Sequence, residues 1–476
     1  MKLNELTITE AHKGLKNRDF RAQELLEDCF TAIIEKDKEI NAFLSIFYES
    51  ARADAKRVDF RIANGEEIGP LDGIPLAIKD NMLIEGTVCT SGSKILSNYI
   101  STYDATVIKK LKKAGAIIIG KTNMDEFAMG SSTESSAYGP TKNPLNIKLV
   151  PGGSSGGSAA AVTANMCLGA YGSDTGGSVR QPASLCGIVG FKPSYGRVSR
   201  YGLMAMASSL DQISPFAKSV DDARILYEAI AGKDEKDSTT IDKDLGLDKE
   251  INFSKLRVGL PKEYFTNDLD GDIRELIDEK VNILRGLGAE IKEVSLPHTK
   301  YGLPVYYIIM PSEVSSNLSR FDGIRYGYSA SIDEDVPVDN LLDVYMKSRS
   351  KGFGTEVKRR IMIGAYTLSA GYYDAYYKKA TQVRSIIKKE YEDVFKEVDC
   401  LITPTSPSTA WPLGEKMNDP VKMYLSDVYT VNVNIAGITG ISVPAGNLNG
   451  LPIGVQVIGK YFDENTVLRV AKKLYI

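Results

Sequence analysis

Residues 107–122 read VIKKLKKAGAIIIGKT, and the way they divide into elements decides the fold. From Gly115 to Thr122 they match the phosphate-loop pattern G-x-x-x-x-G-K-[ST] letter for letter. A phosphate loop needs the order strand, flexible loop, helix, so that backbone N–H groups converge on phosphate oxygens. Here the order is reversed. VIKKLKKA has helical spacing, Gly115 is a natural left-handed stop, and Ala116–Ile119 then predict a strand. Three consecutive isoleucines are poor loop material. The stretch is therefore one helix–turn–strand unit, and its match to a nucleotide-binding loop is accidental.

The same alternation extends in both directions. Residues 7–63 have helical spacing, and SARADAKRVDFRIANG closes at Asn64-Gly65, a helix-stop signal. GIPLAIK follows as an apolar strand at Ile74–Ile78. LRVGLP (256–261) predicts another strand, and DIRELIDEKVNILRGLGAEIKEVSL a helix followed by a strand. Residues 303–320 and 355–397 are long, helical and rich in Tyr and Lys. Short strands with Pro/Gly ends fall within 400–407, 441–446 and 453–459, and ENTVLRVAKKLYI closes the chain as a helix. Alternating helices and short strands without repeats, low-complexity tracts or linkers predict a layered α/β fold.

Composition excludes several function classes. The 476 residues are 43% apolar and 25% charged, ordinary for a globular protein. With 58 basic against 61 acidic side chains the net charge is −3, unlike the basic face that tracks nucleic-acid phosphates. Any RNA in the reaction is expected to be held mainly by another chain. Cys29, Cys89, Cys167, Cys186 and Cys400 form no C-x-x-C spacing, which predicts reduced, buried thiols. The opening MKLNELTITE has no charged-then-apolar leader, and no run of 18 apolar residues exists, so a cytoplasmic location is expected. Only two histidines are present, His12 in a polar helical start and His298 in a turn. A Ser-His-Asp enzyme or a multi-histidine metal site would have to be built from these two.

The chemistry concentrates in two glycine–serine clusters, PGGSSGGSAAAVTANM (151–166) and GSDTGGSVRQPAS (172–184). The first runs into an alanine-rich helix, where exposed N–H groups and the positive dipole end gather. The second places Ser178 after Thr175-Gly176-Gly177. Glycines before a serine allow a tight backbone whose N–H groups can point at one place, as an oxyanion hole needs. A serine hydroxyl is a weak nucleophile and requires a base. With histidine effectively absent, the base must be Lys, Asp or Glu. Lys79 ends the apolar strand GIPLAIK, where burial would lower its pKa from about 10.4 toward the 7–8 a base needs.

Lys79 in GIPLAIKDN, Ser154 in PGGSSGGSAAAV and Ser178 in GSDTGGSVRQPAS together resemble the amidase signature family, and the similarity runs over nearly the whole chain. The resemblance implies a single α/β domain over 1–476: one mixed sheet covered by helices on both faces, with a helical, Tyr-rich segment at about 303–397 flanking the site. It implies that Ser178 is the nucleophile and that Ser154, preceded by a cis peptide bond, relays its proton to Lys79. Backbone N–H groups around Thr175, Gly176, Gly177 and Ser178 would form the oxyanion hole. Asp174 and Arg180, which flank the nucleophile, are expected to be structural.

Four further segments are similar to one branch of that family, the ammonia-supplying components of tRNA-dependent amidotransferases. They are 190–217 (GFKPSYGRVSRYGLMAMASSLDQISPFA), 319–328 (SRFDGIRYGY), 356–377 (EVKRRIMIGAYTLSAGYYDAYY) and 423–437 (MYLSDVYTVNVNIAG). That likeness implies hydrolysis of glutamine through a glutamyl ester on Ser178. The ammonia would pass to two partners, the B and C components of a heterotrimer, where ATP and Mg activate the charged tRNA. No cofactor and no metal are expected on this chain. Glutamine's charged ends call for a cation and a carboxylate. By resemblance Asp427 would meet the ammonium and Arg359 the carboxylate, with Arg360 as the rival and Ser131 lining the same pocket. Two other functions remain in view: a stand-alone amidase for aryl or aliphatic amides, and a non-catalytic scaffold.

Overall fold

The structure is a computed structural model that describes residues 2–266 and 269–475. Its centre is one mixed sheet of eleven strands. In chain order these are β1 (Phe43–Ile46), β2 (Pro75–Lys79), β3 (Ile117–Thr122), β4 (Gly169–Asp174), β5 (Val189–Lys192), β6 (Gln212–Ala217), β7 (Arg257–Pro261), β8 (Glu290–Val294), β9 (Cys400–Pro404), β10 (Thr439–Leu448) and β11 (Leu451–Gly459). They lie in the order β1-β3-β2-β4-β6-β5-β10-β11-β9-β7-β8. β2 is parallel to both β3 and β4, and β7 to both β8 and β9. The pairs from β4 through β6, β5, β10 and β11 to β9 are antiparallel.

Helices cover both faces. Successive residues of β9 show the two layers, since Cys400 and Ile402 enter one buried apolar cluster and Leu401 the other. That is the period of two expected of a strand. The first cluster takes Leu25, Ala159, Leu226, Ile277 and Leu468 from helices on one face. The second takes Ile309, Val357 and Ile387 from helices on the opposite face.

The stretch 107–122 folds as helix Thr106–Lys113, a left-handed turn at Gly115 and then β3. The strand continues past Ile119 through Gly120, Lys121 and Thr122, and all six of its residues are buried. Lys121 forms a buried ion pair with Asp80 at 2.9 Å and donates to the Met82 carbonyl at 2.9 Å. Its ammonium is committed to the core.

The sheet also contains strands that periodicity does not announce. β1 interrupts the helical run 7–63, β4 runs into the second glycine–serine cluster, and β5 and β6 follow it. β4 reads GAYGSD because the helix Gly156–Thr163 crosses it closely: a Cβ on Gly172 would meet Ser155 Oγ at 2.7 Å. Small residues here let neighbouring side chains press onto the strand backbone, and they erase the apolar alternation that marks a strand. Residues 355–397 divide into helices Thr355–Leu368 and Lys379–Glu397, with Gly371 at φ +87° in the turn between them. All five cysteines are buried free thiols. Among the described residues no helix is long and apolar enough to cross a membrane.

Candidate active site

β2 delivers Lys79 to the interior of the sheet, between β3 and β4, with no exposed surface. Its Nζ lies 2.8 Å from Ser154 Oγ, 2.8 Å from Ser155 Oγ and 3.0 Å from Ser173 Oγ. Burial pushes the Lys79 ammonium down to about 7, although the negative charges of Asp125, Asp174 and Asp211 partly oppose that fall. The amine is thus poised between donor and base.

Ser154 follows a cis peptide bond from Gly153. Gly153 is packed so tightly that a Cβ would overlap Asp125 Oδ2 and meet the Ser132 nitrogen at 2.5 Å. Asp125 explains the crowding. Its carboxylate accepts from the N–H groups of Ser132, Thr133 and Ser135, and its own N–H donates to the Ser154 carbonyl at 3.2 Å. One residue therefore ties the loop 131–135 to the serine cluster.

β4 ends at Asp174, and the turn Thr175–Ser178 leads directly into helix Arg180–Cys186. Ser178 is 8% exposed, whereas Lys79 and Ser154 are fully buried, so solvent reaches the triad at the expected nucleophile. Among the described residues no hydrogen bond joins Ser178 to Ser154, whose hydroxyl faces Lys79. Gly177 has φ +138°, a conformation side chains rarely adopt, and a Cβ there would overlap Thr430 Oγ1. Its N–H donates to Asp174 Oδ1 at 3.0 Å. Among the described residues the N–H groups of Thr175, Gly176 and Ser178 have no acceptor within the protein. Of the four N–H groups expected at the oxyanion hole, three are available and that of Gly177 is engaged.

Asp174 holds this turn together. Burial would raise its pKa, but the adjacent Arg180 guanidinium, Lys192 and Asn434 hold it at about 2. The carboxylate also accepts from the N–H groups of Val179 and Arg180, and Arg180 Nη2 lies 2.9 Å away. Arg180 reaches onward to the Thr430 carbonyl, Gln456 and Asn434. Both residues serve as the frame of the turn that carries Ser178.

Of the expected substrate residues, Ser131 and Asp427 meet directly. Ser131 Oγ donates to Asp427 Oδ2 at 2.7 Å. Burial lifts the Asp427 carboxyl to about 7, against the Ser131 hydrogen bond and the charge of Arg360. Neighbours on one helix, Arg359 and Arg360 face different ways. Arg360 is buried beside the stacked rings of Tyr307 and Tyr424, at 5.3 and 5.4 Å from their centroids, with Nε 2.7 Å from Glu356 Oε1. The Arg359 side chain is 38% exposed and pairs with the other oxygen of Glu356. Both line a cleft of about 290 Å³ that also takes in Asp125, Glu126, Gly130, Ser132 and Tyr424. His298 instead pairs with Glu390, and neither histidine hydrogen-bonds a triad side chain among the described residues.

Sequence reasoning passes over Ser155, Ser173 and Asp125. The two serines carry a signal, since each stands inside a cluster already singled out. Asp125, in NMDEF, carries none: its role comes from main-chain groups brought to it by the fold.

The family model described as Amidase matches residues 24–468. The curated A component of glutamyl-tRNA(Gln) amidotransferase from Carboxydothermus hydrogenoformans is 53% identical over 99% of this chain and 97% of its own length. The A component from Thermoanaerobacter pseudethanolicus is also 53% identical, over 99% of this chain and 96% of its own. A crystal structure of the glutamyl-tRNA(Gln) amidotransferase A component from Thermotoga maritima superposes with a TM-score of 0.79 at 43% identity, covering 100% of this chain and 95% of that one. The chain belongs to the amidase signature family, and these curated relatives within it are the A components of glutamyl-tRNA(Gln) amidotransferase.

Proposed function

We propose that this chain is the glutaminase component of a tRNA-dependent amidotransferase, working in the cytoplasm with the B and C components as its partners. The names of its full-length relatives support the assignment. The observation that carries the chemistry is Lys79, fully buried and held at about 7 within 2.8 Å of Ser154. A neutral amine there accepts the Ser154 proton while Ser154 takes the proton of Ser178. Ser178 Oγ forms its bond to the side-chain carbonyl carbon of glutamine. The developing oxyanion meets the free N–H groups of Thr175, Gly176 and Ser178. The C–N bond then breaks, the relayed proton returns to the departing nitrogen, and ammonia leaves behind a glutamyl ester that water hydrolyses. The open gap between Ser154 and Ser178 suits a relay that tightens when substrate binds.

Asp427 takes the α-ammonium of glutamine, with Ser131 orienting its carboxylate. Arg360 takes the α-carboxylate in preference to Arg359, because its charge reaches Asp427 and it lies on the buried face of the helix. The partners use the ammonia, with ATP and Mg, to convert Glu-tRNA(Gln) to Gln-tRNA(Gln). Contact with tRNA falls mainly on them, in keeping with the −3 charge of this chain. The test is ammonia release by the assembled complex from glutamine, asparagine and an arylamide, beside Ser178→Ala. Release from glutamine that is lost in the variant supports the proposal. Turnover of the arylamide alone would make the chain a stand-alone amidase.

A further inference from the structure

Glu126 is 2% exposed and lies on no part of the proposed reaction path. Its carboxylate nevertheless faces the backbone of a distant element. The N–H of Gly354 donates to both of its oxygens, at 2.8 and 3.1 Å, and the Ser93 hydroxyl donates to Oε1. Gly354 is the N-cap of helix Thr355–Leu368, and as glycine it offers no capping side chain of its own. Glu126 supplies a carboxylate at that helix start from 228 residues away in sequence, where the dipole favours negative charge. The fit leaves no slack, since a Cβ on Gly354 would overlap Glu126 Oε2. Gly354 has φ −72°, so the glycine is required for this approach and not for its backbone conformation.

The capped helix carries Glu356, Arg359 and Arg360 in its first two turns. The residue before Glu126 is Asp125, which fixes the loop of Ser131 and reaches the Ser154 carbonyl. Two consecutive carboxylates therefore join three parts of the site: the serine cluster, the Ser131–Asp427 side and the arginine side. We propose that Glu126 is a positioning residue for substrate binding, fixing the start of the arginine helix against the Ser131 loop and so setting the span between the groups that hold the two ends of glutamine. This rests on the proposed role of Arg360. Burial lifts the Glu126 carboxyl to about 7, while the Ser93 hydroxyl and the Gly354 N–H act in the other direction and favour its ionised form.

The experiment uses the assembled amidotransferase with Glu126→Gln, Gly354→Ala and the double variant, reading glutaminase kcat and KM separately. Glu126→Gln keeps the size but removes the charge and leaves one acceptor oxygen where two met the Gly354 N–H, and Gly354→Ala disturbs the same contact from the other side. Each should raise KM for glutamine roughly five- to thirtyfold with kcat within about twofold, the loss expected of a helix cap. Because one contact is shared, the double variant should be no worse than the worse single. Falls in kcat matching the rise in KM, or fully additive effects, would make Glu126 an ordinary structural residue and overturn the inference. Arg360→Gln run alongside separates the two levels. An unchanged KM there defeats the carboxylate assignment itself, whereas a raised KM with unaffected Glu126 and Gly354 variants defeats only the positioning role.

Discussion

Ser131 and Asp427 stand 296 residues apart in sequence and share a 2.7 Å hydrogen bond. The bond joins a loop anchored beside the serine cluster to the segment after the short helix Pro420–Leu425. Its donor is a neutral hydroxyl, so it stabilises the ionised carboxylate in a site where burial disfavours it. Replacing Ser131 by alanine removes that support. KM for glutamine should rise roughly tenfold with kcat nearly unchanged, as expected for a hydrogen bond to a charged group. Steady-state kinetics of the complex would expose the error if kcat fell instead.

Ser178→Ala should abolish ammonia release, by roughly a thousandfold or more, with no loss of thermal stability. Lys79→Met should be as inactive, and the lost hydrogen bonds to Ser154, Ser155 and Ser173 should cost about 1–3 kcal/mol of stability without unfolding the protein. Retained glutaminase activity in either variant would remove the triad from the mechanism. Differential scanning calorimetry supplies the control for folding.

The pH dependence follows from two groups of opposite charge type. Lys79 acts as the neutral amine and Asp427 as the carboxylate, and both of these forms grow as pH rises through about 7. Below that value kcat should fall as Lys79 protonates, and KM should rise as Asp427 protonates. The acid limb of kcat/KM therefore approaches a slope of two. Asp427→Asn should remove its share of the KM dependence, leaving that of Glu126, and leave the kcat limb in place. A wild-type kcat that stays level down to about pH 5.5 contradicts Lys79 as the base.

Lys121 tests the phosphate-loop letters directly. Lys121→Met leaves Asp80 buried beside an apolar side chain, which should cost about 3–5 kcal/mol of stability. In a nucleotide-binding loop the same change would raise the KM for ATP. Urea denaturation should show the loss, and the ATP dependence of the assembled complex should stay as in the wild type.

The parts of this site legible in the sequence are those whose chemistry is local. Lys79 closes an apolar strand, and Ser154 and Ser178 sit in clusters whose glycines announce tight backbone. The strand β4 escapes because Gly169, Gly172 and Ser173 present no apolar face; a Cβ on Gly169 would meet Leu226, Ile8 and Leu76, and one on Gly172 would meet Ser155 and Phe216. Arg359 and Arg360 differ by one step around a helix, and only the packing of Tyr307 and Tyr424 decides which one turns inward. Asp125 and Glu126 act through main-chain N–H groups of other segments, which no spacing of side chains records.

The groups assigned to bond breaking all lie between residues 79 and 178, on β2 and around β4. Those assigned to the two ends of the substrate include Arg360, on the helix Thr355–Leu368, and Asp427, just after the helix Pro420–Leu425. Selection on which amide is accepted can therefore act on the later part of the chain while the hydrolytic apparatus is inherited intact. One scaffold can in this way be re-addressed to new amides without reinventing its reaction.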